Sequence, residues 1–155
     1  MDKKDVLILE LLQGDGSLGL NELAQAVSLS PTPCWRRIQK LRDEGVIKQQ
    51  VTLCDPVKLN LGLTAFVSIR ASLHNDAWTQ RFVKGIVAIR EVVEVYRMSG
   101  DTDYLLKVVV PDIAGYDSVY KRLIKVAELQ DVSSGFVMEV VKHTTALPMD
   151  YALQA

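Results

Sequence analysis

No apolar run in this 155-residue sequence approaches the roughly 18 residues that span a bilayer, so no membrane-spanning helix is expected. The opening stretch, "MDKKDVLILELLQ", is broken by charges and lacks a small-residue cleavage site, so it is not read as a signal peptide. Cysteine is scarce. Cys34 and Cys54 fall in no C-x-x-C or comparable motif, and a reduced, cytoplasmic protein is the default. Histidine is equally sparse: His74 and His143 stand alone, neither beside a cysteine or carboxylate at metal-ligand spacing. P-loop, G-x-G-x-x-G and Ser-His or Cys-His nucleophile patterns are missing. Asp101 and Asp103 are two carboxylates on one turn, too little for a cation site by themselves. Catalysis, a cofactor and a metal are therefore not expected.

The chain also lacks a basic excess. Its formal net charge is −1, which taken alone argues against a nucleic-acid partner. Distribution alters that inference. Residues 31–50 carry five bases (Arg36, Arg37, Lys40, Arg42, Lys48) against two acids, a local +3, whereas residues from Leu61 onward sum to −1. An apolar fraction of 48% with 24% charged residues suits a folded chain of one ordinary domain or two small ones.

Periodicity divides the chain. Val6, Leu9 and either Leu12 or Gln13, widened by Ile8 and Leu11, predict a helix over 3–13, ended by the glycines of "GDGSLG". Leu20, Leu23, Ala24 and Val27 mark a short second helix, and "SLS" a tight turn. A third helix follows in "LSPTPCWRRIQKLRDEG". Two helices joined by so few residues, the second carrying exposed bases, form a helix-turn-helix pattern. Next, "GVIKQQVTL" alternates loosely and predicts a short strand, with "CDPVKLNLG" as connector.

The remainder predicts strand 63–73, helix 78–89, two strands in "EVVEVYRMSG" and "TDYLLKVVVP" around a tight "SGD" turn, a helix marked by residues from Tyr116 to Ala127, and a last strand "VSSGFVMEVVKHT". This βαββαβ order is the ferredoxin-like pattern, an antiparallel sheet with two helices on one face. The fold class expected is α+β, with a helical domain over 1–50, a hinge over 51–62 and a ferredoxin-like domain over 63–155.

Proline is tolerated only in a helix's first turn, so the third helix starts within 30–33. Ser30 caps with Pro31 at the first position, or Thr32 caps with Pro33 there. At about 100° per residue Cys34, Ile38 and Leu41 share an apolar stripe, and Thr32, Arg36, Gln39, Lys40 and Asp43 lie opposite, with Trp35 and Arg37 on the flanks. That face suits DNA. Arginine pairs bidentately with guanine and glutamine with adenine, while Arg37 and Lys40 are placed for phosphates. The candidate DNA-binding set is Ser30, Thr32, Pro33, Arg36, Arg37, Gln39 and Lys40. The alternative for the segment is a solvated basic helix.

"ELAQAVSLSPTPCWRRIQKLRDEGVI", "LCDPVKLNLGLTAF", "MSGDTDYLLKVVVPDIAGYDSVYKRL" and "VMEVVKHTTALP", in this order and spacing, resemble the Lrp/AsnC (feast/famine) transcriptional regulators. One departure is Ser17, where family members often carry arginine. The resemblance implies a winged helix-turn-helix hinged to a ferredoxin-like (RAM or ACT-like) domain. It also implies double-stranded DNA as partner, a homodimer formed by sheet packing, assembly to octamers, and an amino acid effector of the leucine, methionine or cysteine class between dimers. Carried onto this sequence, the effector-binding residues are Met98, Gly100, Asp101, Asp103 and Tyr104 at the hairpin turn, and Ser134, Gly135 and Phe136 on the last strand. A small-molecule sensor whose helical half contacts proteins rather than DNA is the competing function.

Overall fold

A computed structural model describes residues 1–153. Contacts divide the chain into two compact units. One comprises Met1–Thr52 together with the tail from Val141, and the other is Leu53–Val140. Among the described residues, those from Val141 group by contacts with the helices.

The first unit has three helices, α1 (Lys3–Gly14), α2 (Leu20–Ala26) and α3 (Pro31–Asp43). A reciprocal cap opens α1: the Asp2 carboxylate accepts from the N–H groups of Lys4 and Asp5 at 2.8 and 3.0 Å, and Asp5 accepts from the Asp2 N–H at 2.8 Å. In α3 the choice between prolines falls to Pro31, with Ser30 extended as the cap residue. Gly45, at φ +71°, closes α3 in the left-handed region, and the Ile47 N–H reaches back to the Leu41 carbonyl at 3.0 Å. Ile8, Leu9, Leu23, Ala24, Val27, Cys34, Ile38 and Leu41 fill the core between the helices, with Met149 of the tail packed against it. The Gln13 amide clamps the tail, accepting from the Leu147 N–H at 2.7 Å and donating to its carbonyl at 3.3 Å.

The strand predicted in "GVIKQQVTL" does not form. Alternation makes a strand only where a neighbour supplies ladder partners, and the first unit has none among the described residues. A side-chain hydrogen bond from Gln50 to the Gly16 carbonyl holds the segment instead.

The second unit is the expected βαββαβ fold: β1 (Leu63–Ala71), α4 (Asp76–Val87), β2 (Val92–Arg97), β3 (Tyr104–Val110), α5 (Ile113–Leu123) and β4 (Leu129–Phe136). The antiparallel sheet has the order β2-β3-β1-β4. Strand β4 both starts and stops earlier than predicted. Its ladder ends where Phe136 pairs with Ala65 and Val137 bonds the Thr64 carbonyl, because β1 offers almost nothing beyond. Between β2 and β3 the turn is wider than the predicted "SGD", spanning 98–103 and closed by Met98 N–H to Asp103 carbonyl at 2.8 Å.

One sheet face is packed by α4 and α5 through Trp78, Phe82, Ile86, Tyr116, Val119 and Leu123. The opposite face stays open: Phe66 is 40% exposed and Tyr96 48%, beside half-buried Leu105 and Val109. Asn75 and Asp112 cap α4 and α5, accepting from Trp78 N–H and Gly115 N–H at 2.8 Å. Helix α4 contains Gly85 because Val126 leaves no room: an added Cβ would lie 2.3 Å from Val126 Cγ1. Gly85→Ala is therefore expected to destabilise by about 1–2 kcal/mol in thermal unfolding, although alanine is the better helix former. Adding Val126→Ala should recover most of the loss.

Candidate nucleic-acid interface and effector site

Packing of Cys34, Ile38 and Leu41 into the helical core turns the opposite side of α3 outward, as the periodicity predicts. Thr32, Pro33, Arg36 and Lys40 are exposed and Gln39 is half-buried. Lys40 is 3.7 Å from Glu44 one turn on, a surface pair of little energetic weight. Arg36 has no ion pair among the described residues, so its guanidinium is available. Ser30 is exposed at the helix mouth. The outward side chains border a groove of about 500 Å³ lined by Pro33, Arg36, Arg37, Lys40 and, from the start of α1, Met1, Asp2 and Asp5.

Arg37 is differently engaged. Its Nη1 lies 2.7 Å from Asp2 Oδ2 and 2.7 Å from Asp5 Oδ1. These hydrogen bonds hold the Asp2 carboxyl below the usual carboxylate range and push the guanidinium upward. Asp2 and Asp5 are the residues that sequence reasoning missed. The capping-box spacing marks them as a helix start. Nothing in the sequence signals that they meet a base more than thirty residues away.

The turn joining α2 to α3 is sharp because Ser28 adopts φ +53°, with Leu29 N–H bonded to the Ala24 carbonyl at 2.8 Å. A β-branched side chain fits the left-handed region poorly. Ser28→Val is expected to cost about 1–2 kcal/mol in urea unfolding. Ser28→Gly should be neutral or slightly stabilising.

In the second unit, loop 98–103 carries Met98, Gly100 and Asp101 exposed, with Gly100 at φ +99°. Asp103 is fastened. Its Oδ2 accepts from Ala71 N–H at 2.8 Å and its Oδ1 lies 2.9 Å from His74 Nε2. The Ala71 N–H first, and then His74, hold this carboxyl below the usual range. The sign follows: a depressed folded pKa adds stability above the unfolded value near 3.8, lost as pH falls through the folded one. Asp103→Asn is thus expected to cost about 1 kcal/mol at pH 7 and progressively less as pH falls below 3.8, measured by urea unfolding of both proteins.

Tyr104 is 6% exposed, its ring 4.6 Å from Phe82 and 6.1 Å from Trp78, so it supports the loop from the core. Ser134 shares a hydrogen bond with the Tyr116 hydroxyl, and Phe136 meets the Tyr116 ring edge-on at 5.0 Å. The register separates the two groups. Tyr104 pairs with Ile69 at one end of β1, whereas Ser134 and Phe136 pair with Val67 and Ala65 toward the other. One chain therefore does not gather the loop residues and Ser134, Gly135 and Phe136 into a single pocket. Among the described residues, no three His, Cys, Asp or Glu side chains stand together as metal ligands. Among the same residues no helix is long and apolar enough to cross a membrane.

Comparison with known proteins agrees with this geometry unit by unit. Residues 1–48 match a winged helix-turn-helix DNA-binding family, and residues 64–147 match the Lrp/AsnC ligand binding domain. The DNA-binding transcriptional activator DecR of Escherichia coli is 47% identical over 97% of this chain and 99% of its own. The glutamate uptake regulatory protein of Zymomonas mobilis is 46% identical over 96% of this chain and 91% of its own. Among solved structures, an AsnC family transcriptional regulator from Agrobacterium tumefaciens superposes with TM-score 0.94 at 56% identity, covering 97% of this chain and 99% of that one. A transcriptional regulator from Neisseria meningitidis in complex with L-Met superposes with TM-score 0.93 at 37% identity, covering 98% and 99%. With both units matched and near-complete coverage by its relatives, the chain belongs to the Lrp/AsnC family of transcriptional regulators.

Proposed function

We propose that this chain is a cytoplasmic, non-catalytic regulator that binds specific double-stranded DNA through α3 and is modulated by a small amino acid. The outward face of α3 carries the reading: Thr32, Arg36 and Lys40 are exposed directly opposite a buried stripe, with Arg36 in no ion pair among the described residues. Thr32, Arg36 and Gln39 address base edges in the major groove, while Ser30 and Lys40 donate to phosphates and Pro33 packs against the backbone at the helix mouth. A dimer formed across the open sheet face, through Phe66, Tyr96, Leu105 and Val109, presents two such helices to half-sites about a helical turn apart. Dimers then assemble toward octamers.

The effector, of the leucine, methionine or cysteine class, binds between dimers, where Met98, Gly100 and Asp101 of one copy meet Ser134, Gly135 and Phe136 of another. The separation of these groups within one chain is what a site shared between copies requires, and the L-Met complex of the Neisseria relative supports an amino acid as the effector. Binding there couples to DNA by linkage, since a ligand that prefers one assembly changes which half-sites are engaged together. DNA titrations and sedimentation, each with and without leucine, methionine and cysteine, test it. At least one amino acid should shift both assembly and DNA affinity, by roughly five- to 150-fold for the latter. Unchanged assembly and unchanged affinity with all three would contradict the effector reading.

A further inference from the structure

We infer that Arg37 is a positioning residue rather than a DNA contact: it fastens the recognition helix α3 to the first turn of α1 through Asp2 and Asp5, fixing how Thr32 and Arg36 are presented. The inference rests on the DNA-binding reading of α3.

Asp5 is 6% exposed, and a buried carboxylate needs a cation and hydrogen bonds to offset its desolvation. Arg37 supplies the cation at 2.7 Å from Oδ1, while Oδ2 takes the Asp2 N–H at 2.8 Å. Asp2 is similarly occupied, with Oδ1 accepting from two first-turn N–H groups and Oδ2 from Arg37. Both carboxylates take the guanidinium through Nη1, so the trio carries a net −1 and ties Arg37 to the first turn of α1. Lys4, from the same turn, donates to the Val27 carbonyl at the end of α2. The start of α1 is thereby pinned to both helices of the helix-turn-helix.

The helices otherwise share an apolar cluster that includes Ile8, Leu9, Cys34, Ile38 and Leu41. Apolar contact is non-directional and leaves α3 free to rotate slightly about its axis. An ion pair to two fixed acceptors removes that freedom. Arg36, the next residue along, then points where the network directs it.

The test uses the full chain as R37Q, D5N and the pair R37Q/D5N. Affinity is measured for its own upstream duplex and for a scrambled duplex across a salt series, with thermal unfolding alongside. R37Q should lose at least tenfold of its preference for the upstream duplex, with scrambled-duplex affinity and salt slope unchanged. D5N should lose preference as well. This loss opposes simple electrostatics, by which removing a negative charge tightens DNA binding. R37Q/D5N leaves no buried charge unmatched, so it keeps the test decisive if D5N does not fold, and its loss should equal that of R37Q alone. A salt slope reduced by about 0.9 in R37Q, with both duplexes weakened alike, would make Arg37 a phosphate contact and overturn the inference. A paired variant with full preference would overturn it too. A wild-type chain with no preference would instead sink the DNA reading on which it rests.

Discussion

Phe82→Ala is expected to remove about 3–5 kcal/mol from the stability of the sheet unit, the range for truncating a fully buried aromatic ring. Phe82 is 0% exposed, at the centre of the layer between helices and sheet. Its ring stacks on Trp78 at 4.9 Å and 11°, and tilts against Tyr104 at 4.6 Å. Such pairs add to the area buried, and the cavity left behind has only rigid neighbours to collapse into it. An ordinary domain has about 5–15 kcal/mol in total, so the variant should be close to unfolded at 37 °C. The functional consequence passes through Tyr104, which leads into loop 98–103, so effector response should fail before DNA binding does. Urea unfolding followed by near-ultraviolet dichroism checks the loss. A cost below about 1 kcal/mol would mean that the cluster is not the core described.

Arg36→Ala should lower affinity for the chain's own operator by roughly five- to 150-fold, or about 1–3 kcal/mol, the value of one bidentate base contact. Arg36 is exposed, so stability should stay within about 0.5 kcal/mol of wild type. Lys40→Ala provides the contrast. A lost phosphate contact weakens all sequences alike and lowers the salt slope by about 0.9. Losing Arg36 should erase preference at particular base pairs, which titration against a panel of singly substituted duplexes resolves. Equal loss on every duplex in the panel would move Arg36 into the phosphate-binding class.

The division of α3 into buried and outward faces was legible in the sequence because 100° periodicity is a local property. Cys34, Ile38 and Leu41 lie where it puts them. The βαββαβ order was legible for the same reason, each element carrying its own period and turn signals. What was not legible depended on partners. "GVIKQQVTL" alternates like a strand but has no neighbour to pair with, and β4 stops where β1 runs out. Arg37 reads as a phosphate ligand from its helix alone, because its two acceptors lie on another helix. The same holds for the effector set. Proximity of "SGDTDY" and "SSGF" requires knowing the register, which places them apart along β1.

The central claim, that α3 reads a specific DNA sequence, is tested most directly by one titration. The full chain is titrated with a fluorescent duplex from its own upstream region, and with a scrambled duplex of equal composition, from 50 to 200 mM salt at about the range where phosphate contacts dominate. Affinity should fall steeply and linearly on logarithmic axes for both. The upstream duplex should bind about 10³-fold or more tightly than the scrambled one at physiological salt. Equal affinity for the two duplexes, or binding to neither, would contradict the account.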